Sequence, residues 1–339
     1  MHRRAFLVAV AGLSGCTGLV GNPLGGASEP TGGSEGSGGS TSGGGSSETP
    51  VPESEGSSDA ESAGTPAGEP TPTAGELRRM SVPDLLALSR EQLSRAVEAY
   101  SGTGRDGSLT DVTAATDTFD PDPVVDHLYR ARRAYEAADR QGLSAEIEDE
   151  ISQLGRVEEF LRLSIDAQVL LIEAHNDLEG VVTAIEFVDP ESARSLTDRA
   201  GTRQERTEGT VSDLSNVRYE RSVTVVDALS SEAYLAKRDQ LRAEADVLAD
   251  VDEGLSSVVE GVRLFARARG RRQSGSPYVA AELGRDAETA FSRGAKALRD
   301  VGSRIPARAQ GFGGVVAALR TAADDKRDEA RAFYRDIER

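Results

Sequence analysis

From residue 77 onwards the apolar positions recur at helical spacing. Ser81-Val82-Pro83-Asp84 is a start signal: a capping side chain, Pro in the first turn and an acid three residues after the cap. Val82, Leu86, Leu93, Val97 and Tyr100 then share one face, and Ser101-Gly102-Thr103-Gly104 ends the helix. Residues 102–121 read as a loop. Asp122-Pro123 opens a second helix with a stripe of Val125, Leu128, Tyr135 and Ala138, stopped by Gly142.

Ser144 can cap a third helix reaching Val188, where Asp189-Pro190 breaks it. That is roughly 45 residues, about 65 Å at 1.5 Å per residue. Its stripe is Ile147, Ile151, Leu154, Leu161, Ile165, Val169 and Ile172. Val169-Leu170-Leu171-Ile172 is apolar all round, which predicts cover on several sides. Residues 190–217 are polar and contain Gly201 and Gly209, so they read as a weaker helix or a broken connector.

A further helix runs from about 222 or 231 to 270. Leu248, Val251, Leu255, Val258, Val262 and Phe265 alternate 3-4-3-4-3, the spacing of a coiled-coil seam. Arg267, Arg269, Arg271 and Arg272 close it, suited to the negative end of a helix. Ser276-Pro277 begins the next helix, with Ala280, Ala287, Phe291, Gly294, Leu298, Val301 and Ile305 in rhythm until Pro306. The last starts near 308 and carries Phe312, Val316, Leu319, Ala323, Ala330, Phe333 and Ile337.

The expected fold is therefore all-α, a long-helix bundle or coiled-coil-like ectodomain over 77–339. It reads as one bundle or as two divided near 190–220. Residues 16–76 are of another kind, mostly Gly, Ser, Thr, Pro and Glu, with no Lys or Arg between Arg4 and Arg78. They hold too few apolar side chains to offset the entropy of ordering, so a disordered acidic tether is expected. About 60 such residues span about 40 Å on average. No N-x-[ST] glycosylation sequon is present.

The first 15 residues form a third kind of segment. Arg3-Arg4 precedes an apolar run from Ala5 to Ala11, then small residues and Cys16. A basic start, a short apolar run and a small-residue zone make an export signal. The run is well short of the about 20 residues needed to span a bilayer. Arg3-Arg4-Ala5-Phe6-Leu7 resembles the twin-arginine export signal, whose core reads Arg-Arg-x-Phe-Leu. Leu13-Ser14-Gly15-Cys16 resembles a lipobox. The resemblance implies export of an already folded protein and lipid modification of Cys16. The membrane, reached through that lipid, is thus the first expected partner. The location implied is the extracytoplasmic face of the cell membrane. One acyl chain holds weakly, at about 0.8 kcal/mol per buried methylene, so a second chain or contact is expected.

Composition sharpens the setting. Of 339 residues, 37% are hydrophobic and 4% aromatic, without Trp, so the core must be built from Ala, Leu and Val. Cys16 is the only cysteine, which excludes an intrachain disulfide. Net charge is −18, and only Lys237, Lys296 and Lys326 are lysines among the 39 basic residues. Acid excess with scarce Lys resembles halophilic archaeal proteins. Molar salt shortens the Debye length to about 3 Å and screens such a surface. The same charge argues against nucleic acid as a partner, since counterion release needs clustered Lys and Arg.

Candidate chemistry is sparse. The folded part holds two histidines, His127 and His175, and no Cys. His175 and Glu179 lie one helical turn apart, with Glu173 nearby, and offer two metal ligands; a third would have to come from another helix. Ile172 occupies the place of the Glu in a ferritin-like Glu-x-x-His motif. The plainer reading of His175, a histidine hydrogen-bonded in the helix seam, is preferred. There is no Gly-x-Ser-x-Gly elbow. Gly311-Phe312-Gly313-Gly314 precedes a helix but lacks the phosphate-binding Lys and a preceding strand, and reads as a flexible helix start. No cofactor is expected.

Three functions follow in order of preference. The first is a non-enzymatic, lipid-anchored surface protein whose helices bind a protein partner or act as a scaffold or spacer. The second is a ligand- or metal-binding component of an export, uptake or sensing system, using His175 and Glu179. The third is a hydrolase working through carboxylates that the sequence does not single out.

Overall fold

The structure, a computed structural model, describes residues 71–102, 107–141, 144–216 and 225–339. The export and lipidation residues Arg3, Arg4, Phe6, Leu7, Leu13, Ser14, Gly15 and Cys16 lie outside them, as do Gly142 and the tether up to residue 70. Among the described residues every regular element is helical: α1 (Ala74–Leu77), α2 (Val82–Ser101), α3 (Asp122–Asp139), α4 (Ala145–Phe187), α5 (Pro190–Asn216), α6 (Ser231–Gln273), α7 (Pro277–Gly302) and α8 (Gly313–Ile337). Short 3-10 turns occupy Leu109–Asp111 and Ala307–Phe312. The fold is all-α. No described helix is long and apolar enough to cross a membrane.

Local chemistry sets the helix ends. Ser81 caps α2 through the Asp84 backbone N–H, with Pro83 in its first turn, and Gly102 ends it in the left-handed region at φ 66°. Only a residue without Cβ adopts that turn freely. α1 begins at Ala74, inside the stretch that composition assigns to the tether, because Thr73 and Glu76 form a reciprocal capping box. Asp189 turns the chain from α4 into α5, accepting from the backbone N–H groups of Glu191 and Ser192 at 3.2 and 3.1 Å.

That turn contains a strained residue. Val188 caps α4 at φ 56°, ψ 47°, a left-handed conformation that costs a β-branched L-residue about 1–2 kcal/mol. Val188→Gly is expected to stabilise the protein by about 1 kcal/mol, read as an upward shift of the thermal midpoint. An unchanged or lower midpoint would mean that the packing of Val188 outweighs its strain.

α4 is the centre of the unit formed by residues 68–339. It meets α2, α3, α5, α6 and α8, so the expected cover on several sides is present. Leu154, Phe160, Leu161, Leu171, Leu178 and Ile185 are all fully buried, although they point in different directions around it. Antiparallel neighbours flank it in sequence: α2 with α3, α4 with α5, α6 with α7, and α7 with α8. One hydrophobic cluster runs through the unit from Leu77 to Ala330, and residues 190–220 contribute Ala200, Val211 and Leu214 to it.

Local expectations are refined at three places. Of the two readings of residues 190–217, a weaker helix or a broken connector, the helix holds: residues 190–216 are continuous. Gly201 and Gly209 each cost about 1 kcal/mol relative to Ala, which is outweighed by the burial of Ala193, Ala200, Val211 and Leu214 and by ion pairs from Arg199 and Arg203 to Asp177 on α4. In α3 the stripe begins at Val124, which is fully buried, and not at Val125, which is 49% exposed, while Leu128 and Ala138 are buried as expected. The expected loop between α2 and α3 is present, and its described part is packed, with Leu109, Val112 and Ala114 buried.

The seam of α6 lies where its spacing puts it. Leu248, Val251, Leu255, Val258, Val262 and Phe265 are all buried. α7 comes close because glycines line the contact. A Cβ on Gly261 would lie 2.7 Å from Phe291 Cδ1, one on Gly254 2.9 Å from Leu298 Cγ, and one on Gly294 2.4 Å from Val258 Cγ2.

Candidate functional site

The 3-4 seam of α6 continues towards its N-terminus through Leu241 and Tyr234, and two of its positions there are charged. Lys237 and Glu244 are each 0% exposed. With Gln240 between them they form one face directed at the backbone of the α2–α3 loop. Lys237 Nζ donates to the Val112 carbonyl at 2.8 Å, to Gln168 Oε1 at 2.6 Å and to Gln240 Oε1 at 3.1 Å. It also lies 5.1 Å from the centre of the Tyr100 ring, a cation–π contact. Gln240 Nε2 donates to the carbonyls of Thr110 and Val112, each at 3.2 Å. Glu244 Oε1 accepts from the Ala114 N–H at 3.4 Å.

These side chains explain why the loop can be buried. Backbone groups taken out of water need partners, and three residues on one face of α6 supply them to Thr110, Val112 and Ala114. From the other side, Tyr100 on α2 donates to the Ser164 carbonyl on α4 at 3.4 Å. The cluster thus ties α2, α4, α6 and the loop together.

Burial dominates its electrostatics. It pulls the Lys237 ammonium down from 10.5 to about 7, against the favourable charges of Glu244 and Asp111. It pushes the Glu244 carboxyl up from 4.5 to about 7, against the charge of Lys237 and hydrogen bonds from Ala114 and Gln240. The Tyr100 phenol is raised well above its ordinary value by burial and then by Glu244. Satisfaction is incomplete: Ser164 Oγ, Gln168 Nε2 and Glu244 Oε2 are buried without a protein hydrogen-bond partner. Such atoms cost about 1–3 kcal/mol each.

His175 is buried on α4, with its ring 5.9 Å from that of Phe312. Burial lowers its pKa, opposed by Glu179, by Asp117 and by a hydrogen bond to the Gly311 backbone. Glu179 and Glu173 are exposed, and Glu173 is held by Arg203 at 2.8 Å. The described residues contain no group of three His, Cys, Asp or Glu able to hold a metal ion. His127 sits 2.9 Å from Gln92 Oε1 across α2 and α3.

Gly311 and Phe312 belong to a packed corner. Phe312 is fully buried, and a Cβ on Gly311 would come within 3.2 Å of Thr113 and 3.3 Å of the Ala114 N. In the basic run that closes α6, Arg272 pairs with Asp336 at 2.7 Å and lies over the Phe333 ring, so it fastens the end of α8 to α6.

The sequence reading missed Lys237 and Glu244, yet a signal was there. Tyr234, Lys237, Leu241, Glu244 and Leu248 extend the 3-4 alternation without a break. Compared with known proteins, the chain matches no family model, no curated protein and no solved structure.

Proposed function

We propose that this chain is a lipid-anchored protein of the extracytoplasmic membrane face, whose helical unit serves as a binding and spacer module and not as an enzyme. The observation that carries the reading is the placement of Cys16. The only cysteine follows Leu13-Ser14-Gly15 at the end of a segment opened by Arg3-Arg4-Ala5-Phe6-Leu7. A thiolate there is the nucleophile that thioether lipidation requires. The Lys237–Glu244 cluster fits a structural role, because its groups face the loop backbone and one another and are closed to solvent.

The test is fractionation of a haloarchaeal host expressing the full chain or its Cys16→Ser variant. The wild type is expected in the membrane fraction, released by detergent, and the variant in the medium. Retention of the variant in the membrane, or a wild type confined to the cytoplasm, would overturn the anchor.

A further inference from the structure

Two of the surface grooves lined by arginines differ in how those charges are matched. In the larger, along α5 and about 620 Å³, the guanidiniums are largely spent on neighbours. Arg199 and Arg203 both pair with Asp177, Arg203 also with Glu173, and Arg194 with Asp198. The second, about 530 Å³, lies between α1 and α3. Arg78, Arg132, Arg133 and Arg140 line it, and Glu136 is its only acidic lining residue. Arg140 pairs with Glu136 at 3.4 Å and Arg132 with Glu158 at 3.3 Å. Arg78 and Arg133 have no carboxylate within ion-pair distance among the described residues.

Its shape and floor add to this. From Tyr129 to Asp139 the wall follows α3 for about 15 Å, the reach of about four to five residues of extended polypeptide at about 3.4 Å each. Leu77 and Ala137 form an apolar floor. Tyr129 is 58% exposed, with the Arg133 guanidinium over its ring at 5.7 Å. An exposed aromatic stacked with an unpaired Arg is a common anchor of protein interfaces. In a chain of net charge −18, this local positive excess runs against the general field.

We propose that the α1–α3 groove binds an extended acidic polypeptide segment of a partner protein. Its carboxylates would be taken by Arg78 and Arg133 as bidentate pairs, and its apolar side chains would lie on Leu77, Ala137 and the Tyr129 ring. Short-range bidentate pairs keep their geometry in concentrated salt where long-range attraction is screened. The groove lies in the helical unit, so the proposal stands whether or not Cys16 carries lipid.

The test is fluorescence anisotropy of the full-length protein with a labelled octapeptide alternating Glu and Leu. A Lys/Leu octapeptide and oligogalacturonate of equal charge are the comparison arms. Saturable binding of the Glu/Leu peptide is expected. It should weaken at least tenfold in the Arg78→Ala/Arg133→Ala double variant and stay unchanged in Arg194→Ala, which lines the other groove. A melting curve equal to wild type shows that the double variant is folded; if it melts lower, Tyr129→Ala with the same tenfold criterion replaces it. No binding, equal affinity in the folded variant, or equal binding of the Lys/Leu peptide would overturn the proposal. Tighter binding of oligogalacturonate with the same arginine dependence would also overturn it, and would assign the groove to acidic sugars.

Discussion

Gly294→Ala is expected to destabilise the protein by about 2 kcal/mol, while Gly209→Ala stabilises it by about 1 kcal/mol. Both replace a glycine inside a helix, so both gain about 1 kcal/mol of helix propensity. At Gly209 a new Cβ meets nothing within 4 Å, and propensity decides the sign. At Gly294 the Cβ would lie 2.4 Å from Val258 Cγ2, 3.0 Å from the Gly254 carbonyl oxygen and 3.1 Å from the Val258 N. A side chain can turn aside, but two backbone atoms of α6 cannot, so α7 must move away and loosen the seam along its length. Overpacking of this kind costs about 1–3 kcal/mol, and the backbone contacts place this site at the upper end. Denaturant titrations of both variants in concentrated salt measure the two signs. Stabilisation by Gly294→Ala would mean that α6 and α7 are further apart than described.

The second large effect concerns the buried pair. Lys237→Met and Glu244→Gln should each cost about 3–5 kcal/mol, because each strands a charge or an unmatched polar group in the core. Their pH dependences should have opposite slopes. In Lys237→Met the remaining Glu244 has a raised pKa, above its ordinary 4.5. The native state then holds a proton that the unfolded state has lost, so stability falls as pH rises from about 4.5 through the raised value. In Glu244→Gln the remaining Lys237 has a lowered pKa, below its ordinary 10.5. The unfolded state then holds the extra proton, so stability rises with pH between the lowered value and 10.5. Each slope approaches about 1.4 kcal/mol per pH unit. Urea midpoints measured from pH 5 to 9 read both. Parallel profiles in the two variants would mean that the cluster is open to water. Lys237→Met/Glu244→Leu should recover much of the loss, since it removes both charges at once.

The groups that face the pair are few. α2 contributes Tyr100, the loop contributes Asp111, α4 contributes Gln168 and Ser164, and α6 contributes Gln240. Of these only Asp111 and Tyr100 carry an ionisable side chain. Tyr100 is raised well above its ordinary value, which keeps it neutral through that pH range.

Helix starts and the α6 seam were legible in the sequence because they depend on local chemistry and spacing. Ser81-Val82-Pro83-Asp84 carries its own capping logic, and Leu248 to Phe265 carries its own period. What stayed open depended on partners elsewhere in the chain. The polarity of residues 190–216 leaves a weaker helix and a broken connector both possible, but Ala193, Ala200, Val211 and Leu214 need only one narrow stripe, and the partners of Arg199 and Arg203 lie on α4. The choice between Val124 and Val125 is settled by the rotation of α3 against α2, to which two adjacent valines give no clue. Lys237 and Glu244 escaped because charged residues in an acidic, Arg-rich chain are expected on a solvated face. That Arg78 and Arg133 lack carboxylate partners among the described residues, while Arg199 and Arg203 on α5 share Asp177, depends on which helices lie side by side.

The burial of Lys237 also sets a limit on amino-acid exchange. Thirty-six of the 39 basic residues are arginine, and at exposed positions the exchange of one cation for the other changes little. At 237 it changes a great deal. An ammonium can give up its proton when its surroundings turn apolar, whereas a guanidinium keeps its charge at any pH the protein meets. The compact head also fits between a carbonyl, an amide oxygen and an aromatic face, where a planar fork with five donors would leave several unanswered. However strongly the composition of this chain drifts towards arginine, position 237 is where that drift has to stop.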